Sequence, residues 1–388
     1  MAQQDDIIII KTEESIETSI LDYFLNIALV TEIDNENDLV EGKTFSEDDI
    51  DTFASLSEVA EKFITTSPIY ERARDIFNQQ SNNGINQSNF KRLVIIRKTA
   101  QDADFASTLN RIGYNDSYFI LTNQKQDEDI TSVDDWVASR RKLQFSQIDI
   151  ITPEQEVDEN GTPVTGADGK PVMEYDVATV LKNRKSLRTA LYYHKTGTES
   201  LAGAMTSILA SYPIGGKSAS YKKPSGITVD DLKGSEEKTL DDKNVNYYTY
   251  YIGGAGEYSK RKLTSANGVT SSGDEIEKII AVDRIVLSLQ SALMDALEQD
   301  IPYDDNGGTI VYGKVVKVLT QLKNEGILAE DSIDDETGEL DKSFTIYVPT
   351  RATLKKQYPE QFKQKAFIIK VTANLAGTGK KVYLTFAY

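Results

Sequence analysis

The sequence predicts a mixed α/β fold, a multi-segment α/β core with extended N- and C-terminal strand arms, and three patterns carry that expectation. Short apolar runs alternate with helical segments between Lys91 and His194. A broad apolar stripe marks one long helix from Asp274 to about Gln299, followed by a second helix and further strands. An apolar β-branched run, Ile7 to Ile10, also stands near the N-terminus with no turn to fold it back locally, and the chain closes on a further strand, KKVYLTFAY, joined to the one before it by the turn Ala376-Gly377-Thr378-Gly379.

In chain order, Ile7 to Lys11 reads as a strand arm and Leu25 to Ile33 as a buried strand. The acidic stretch from Asp34 to Asp51 reads as a solvated connection. Helices are expected from Leu56, capped by Ser55 or Ser57, and from Pro68, closing at Asn82-Asn83-Gly84. RLVIIR, SYFILT and QIDIIT then supply strands. They are separated by a helix ending at Gly113 and one running from Asp129 to Gln144, with Arg140-Arg141-Lys142 as its positive end. Residues 157–173 carry Asn160-Gly161 and Asp168-Gly169 turns and read as an exposed hairpin. DVATVLKNRKS and ESLAGAMTSILAS read as helices on either side of the strand LRTALYYH.

The polar segment from Lys217 to Asn246 is the best boundary candidate, giving three expected parts. These are a linking arm over 1–20, an α/β domain over 21–240 that includes the hairpin, and a C-terminal domain over 241–388 that ends in a linking strand. In the last part YYTYY is strand-like, Pro302 stops the long helix, and a second helix begins near Gly308. Strands are expected at FTIYV, AFIIKVTANL and KKVYLTFAY.

Composition narrows the chemistry. The 388 residues carry a net charge of −18, which argues against a nucleic-acid backbone as partner. The tetrad Ile7-Ile8-Ile9-Ile10 is too short for a membrane span, so no membrane insertion is expected. With no cysteine, thiol catalysis and Cys-ligated zinc are excluded, and a single histidine leaves few general bases. His194, at the end of a strand, reads as a hydrogen-bonded structural residue.

Gly215-Gly216-Lys217-Ser218 has the end of a phosphate loop, but Ser211 stands where the first glycine belongs and a helix precedes it. It supports the alternative function, a nucleotide-binding α/β enzyme. Gly377-Thr378-Gly379-Lys380 is broken in the same way. Glu156, Asp158, Asn160 and Gly161 occupy calcium-loop positions, yet Ala167 stands where a bidentate carboxylate is required. Asp304-Asp305 read as helix caps. No catalytic residue, cofactor or metal is expected.

From Gly253 to Leu328 a Gly-rich segment leads through KLTSANG into the long helix with Val282-Asp283-Arg284, then IPYDDNGG, then a helix ending in NEGIL. This order resembles the sheath proteins of contractile phage tails, as do ARDIFNQQ at 73–80 and the Leu375-Ala376-Gly377 turn. Asp304 replaces a usual Thr of that pattern. The resemblance implies a non-enzymatic structural subunit that polymerises helically with itself around an inner tail tube protein. Contraction would drive the tube through the target cell envelope. Baseplate and tail terminator proteins are the further implied partners, with no direct nucleic-acid contact. Location follows as the virion tail, and the host cytoplasm during assembly. The expected subunit-linking strands are Ile7, Ile8, Ile9 and Ile10 at one end and Val382, Leu384 and Phe386 at the other.

Overall fold

The structure, a computed structural model, describes residues 20–33, 37–122, 128–152, 165, 176–252, 260–264, 267–333 and 337–377. The fold is α/β. Two compact units divide it, the larger made of Leu21–Tyr212 with Lys217–Ile276, the smaller including Pro213–Gly216 and the chain from Glu277 onward. The linking residues Ile7, Ile8, Ile9, Ile10, Val382, Leu384 and Phe386 lie outside the described residues, as does nearly all of the 157–173 hairpin.

The larger unit opens with helix α1 (Ile20–Leu25) and strands β1 (Asn26–Glu32) and β2 (Ile50–Phe53). Helices α2 (Leu56–Lys62) and α3 (Pro68–Phe77) precede β3 (Arg92–Lys98), α4 (Phe105–Ile112) and β4 (Phe119–Thr122). Then come α5 (Glu128–Ser139), β5 (Leu143–Ile148), α6 (Val177–Arg184), β6 (Thr189–Tyr193), α7 (Leu201–Leu209), α8 (Gly234–Asp242), β7 (Asn246–Ile252) and β8 (Lys260–Thr264). The eight strands form one sheet in the order β2-β3-β1-β4-β5-β6-β7-β8. The six from β3 to β7 are parallel, and an antiparallel strand closes each side.

Burial explains why the strand runs are so continuously apolar. Every residue of β4, β5 and β6 is buried, as expected for a parallel sheet covered on both faces. On one face Ala28, Val30, Val94, Ile96 and Ile120 pack with Phe105, Leu109, Val133 and Trp136 of α4 and α5. On the other, α7 lies so close that a Cβ on Gly203 would come within 3.1 Å of Ile76 and 3.3 Å of Leu121. Caps begin the helices where the sequence places them: the side chains of Ser55 and Ser67 accept from Glu58 and Tyr70 amides, and Gly113 ends α4 at φ 66°.

Several expectations need correction. The acidic stretch before Asp51 is anchored rather than simply solvated. Leu39 bridges to Phe63, and β2 starts at Ile50, because Asp49 binds Arg97 and Arg111 while Asp51 binds Lys62. The strand expected from Gln147 begins four residues earlier, at Leu143, after Arg141 turns into the left-handed region at φ 51°. Its polar residues disguised it, since Gln144 is buried between Ser146 and the Ile130 carbonyl. Lys142 is no helix-end cation on the surface. It is buried with Nζ donating to Ser117 O at 2.6 Å and Asn115 O at 3.1 Å, and burial lowers its pKa to about 7. The polar segment from Lys217 holds α8, and β7 pairs with β6, so the larger unit runs beyond the boundary expected at 240.

The smaller unit is built on α9 (Ile276–Leu297) and α10 (Asp305–Asn324), with short strands β9 (Ser332–Ile333), β10 (Leu340–Asp341), β11 (Phe344–Tyr347) and β12 (Lys370–Ala373). Helices α11 (Arg351–Gln357) and α12 (Pro359–Lys363) fill a stretch where sequence periodicity gave no element. Asp304 caps α10, accepting from Gly307 N at 2.9 Å, so the helix starts at Asp305 rather than near Gly308. No helix among the described residues is long and apolar enough to cross a membrane.

The two glycines of the IPYDDNGG turn have unequal roles. A Cβ at Gly307 would stand 1.8 Å from Pro302 O and 3.0 Å from the Phe367 ring, whereas one at Gly308 would meet only Val348 at 3.6 Å. Gly307→Ala is therefore expected to lower stability by about 1–3 kcal/mol through overpacking. Gly308→Ala is expected to be neutral or to raise it by up to about 1 kcal/mol through helix propensity. Thermal unfolding of the two variants checks this; equal effects would contradict it.

Candidate functional site: an open sheet edge

Among the described residues, β11 and β12 form a sheet of only two strands, antiparallel, with Phe344 opposite Ala373 and Tyr347 opposite Lys370. The alternation of FTIY and KVTA sets their faces. Phe344, Ile346, Val371 and Ala373 pack on the core formed by Leu289, Val315, Leu319 and Leu322 of α9 and α10. Thr345, Tyr347, Lys370 and Thr372 face outward and are exposed. Past β12 the chain stays tied down, with Asn374 N donating to Ser343 O at 2.8 Å and Leu375 bridging to Leu328.

Such a sheet has two outer edges. Each presents backbone N–H and C=O groups that a further strand can pair, and a two-stranded ribbon is marginal without a third strand or a helix beneath it. Here α9 and α10 supply the helical support, so the ribbon is held in place as a template. The arrangement can bind an extended segment through main-chain hydrogen bonds. It offers no convergent set of titratable groups for chemistry. No cluster of three or more potential metal ligands occurs among the described residues.

Two motifs singled out in the sequence have structural roles. Gly215, at φ 82°, lets its loop approach α9, since a Cβ would lie 2.7 Å from Ala281 Cα. Lys217 Nζ donates to Gln87 O at 2.7 Å, and burial lowers its pKa to about 8. The calcium-loop residues Glu156, Asp158, Asn160 and Gly161 lie outside the described residues.

His194 is fully buried at the carboxyl end of β6. Nδ1 lies 2.9 Å from Asp230 Oδ2 and Nε2 lies 3.2 Å from Glu199 Oε2. A carboxylate only accepts, so this geometry favours the ring that carries both protons. Burial works against that charge, but the hydrogen bonds and charges of Asp230 and Glu199 outweigh it and raise the histidine pKa. The neighbourhood also holds Asp75, raised chiefly by burial, and Arg74, which donates to it.

Position explains the cluster. The strands β6 and β7 pair only at Tyr192 with Asn246 and Tyr193 with Tyr247. Where they part, Asp230 bridges to Thr249, its amide donating to Tyr248 O at 2.9 Å and its carboxylate accepting from Lys195 N at 3.1 Å. The imidazolium thus clasps the fork between two strands. Nothing in the sequence marks its partners, since Glu199 reads as the start of the helix ESLAGAMTSILAS and Asp230 as part of a polar segment.

No protein-family model and no curated protein matches the chain.

Replacing His194 by Gln leaves the buried Asp230 and half-buried Glu199 carboxylates facing a neutral amide, with an expected loss of about 3 kcal/mol at pH 6. Because the folded-state pKa of His194 is raised, its contribution is complete below about 6.5 and declines as pH rises through the folded value. Urea unfolding at pH 6 and pH 9 should show the gap between wild type and variant narrowing at the higher pH. A gap independent of pH would contradict the buried cation.

Proposed function

We propose that this chain is the structural subunit of a contractile tail sheath, polymerising helically around an inner tube and contracting to drive it through a cell envelope. The observation that carries the proposal is the β11–β12 ribbon, held on two long helices and limited to two strands among the described residues. A strand arm from a neighbouring subunit satisfies such an edge. Ile7 to Ile10 and the Val382, Leu384, Phe386 alternation are the candidate arms.

The energetics favour a link between copies. Each fully covered apolar side chain contributes about 1.5–3 kcal/mol, and each backbone hydrogen bond adds roughly 0.5–1.5 kcal/mol net. Arm and acceptor are different surfaces, so the contact is heterologous and propagates instead of closing a dimer. Connections of this kind let subunits rotate past one another while remaining joined. Contraction from a metastable extended state then releases the work stored at assembly. The inner tube, the baseplate and the tail terminator are the partners proposed with it.

Removal of Met1 to Lys11 is expected to abolish ordered tubes while leaving a folded monomer. Sedimentation together with circular dichroism measures both. Tubes that persist without the arm would contradict the link, and an unfolded truncated chain would assign the arm to the subunit's own core.

A further inference from the structure

A hollow of about 690 Å³ opens at the amino ends of β5 and β6 in the larger unit. Four cations line it: Arg141 beyond the end of α5, Arg184 and Lys185 at the end of α6, and Arg188 just before β6. Two carboxylates share the lining. Asp134 is buried and taken up by Ser186 Oγ at 2.7 Å and Thr189 Oγ1 at 2.6 Å, while Asp135 lies 3.6 Å from Arg184. Cations at a helix C-terminus stabilise that helix singly. The convergence of two helix ends on one hollow is a further fact, and it concentrates positive charge on a chain whose net charge is −18.

Subunits of that net charge repel one another, so a polymer of them needs contacts where opposite signs meet. The same unit offers the complement. Before β2 the turn at 41–48 exposes Glu41, Glu47 and Asp48 against one exposed cation, Lys43, and β2 runs antiparallel to β3 with Ile50 opposite Ile96. That places the acidic turn at the carboxyl ends of the parallel strands, the end opposite the hollow. Along the sheet, β2 and β5 are separated by β3, β1 and β4, four strand spacings or about 19 Å. One subunit's turn therefore does not reach its own hollow, and a contact between the two surfaces joins different copies.

We propose that the hollow lined by Arg141, Arg184, Lys185 and Arg188 receives the acidic turn carrying Glu41, Glu47 and Asp48 of a second copy of this chain. This contact rests on the proposed polymer and adds to it a second, electrostatic linkage independent of the arms. Like the strand link it is heterologous, so it repeats along a helix. Being partly exposed, it weakens with salt, unlike strand addition.

The test is a charge exchange in the full chain, read by sedimentation at low and high salt with circular dichroism as the folding control. Arg184→Glu with Lys185→Glu, and separately Glu47→Lys with Asp48→Lys, should each raise the critical concentration for assembly about tenfold or more at low salt. The four changes together should restore assembly toward wild type. Restoration requires that both surfaces meet, so a fold defect in one parent does not mimic it. Wild-type polymers insensitive to either pair, or four-fold variants no better than the parents, would overturn this contact and leave the strand-linked polymer standing. Wild type that stays monomeric under all conditions would overturn both.

Discussion

Backbone hydrogen bonding in strands is the constraint on which the rest of this structure depends. A strand that is not paired on both sides leaves polar groups that must be covered, paired or dissolved. In the larger unit each of the six parallel strands is paired on both sides, antiparallel β2 and β8 form the two edges, and the gap between β6 and β7 is closed by the Asp230 bridge. Around that bridge the fold invests a buried imidazolium, two carboxylates and the Thr228 contacts to Glu199. The smaller unit does not close in this way among its described residues. Its ribbon is anchored on one face and, among the described residues, β11 and β12 pair with each other alone.

That contrast ties architecture to the proposed assembly. One unit is a scaffold whose six parallel strands are paired on both sides through its own chain, and the other is a two-stranded ribbon in which each strand is an edge. The charge distribution follows the same logic. A net charge of −18 keeps separate subunits apart, while the cations gathered at the amino ends of β5 and β6 give a place where approach is favourable. In the proposed polymer, strand pairing supplies short-range register and the charged surfaces supply longer-range steering.

The parts of the fold that were legible in the sequence are those where period and punctuation agree. RLVIIR and LRTALYYH form buried strands, and Ser55, Pro68, Gly113 and Asp304 mark helix limits through geometry that those residue types favour. What stayed hidden depended on partners distant in sequence. Gln144 and Ser146 look wrong for a buried strand until Thr189 and the Ile130 carbonyl are beside them. Lys142 looks solvated until the carbonyls of Asn115 and Ser117 enclose it. For the candidate site, FTIYV and the strand before Asn374 were visible separately, but their pairing was not, because α11 and α12 intervene. Likewise Arg141 and Arg184 each read as a helix end, and only the sheet brings them together.

The central claim is that a terminal arm of one subunit completes the β11–β12 ribbon of the next. The chain has no cysteine, so an introduced pair reports one contact without background. With cysteine placed in turn at positions 7 to 10 and a second at Thr345, on the exposed face of β11, oxidation of assembled protein reads out proximity directly. The account predicts a ladder of covalent dimers, trimers and longer chains on a non-reducing gel, strongest at alternate arm positions. Ordered tubes that give no intermolecular ladder from any of the four positions would contradict it.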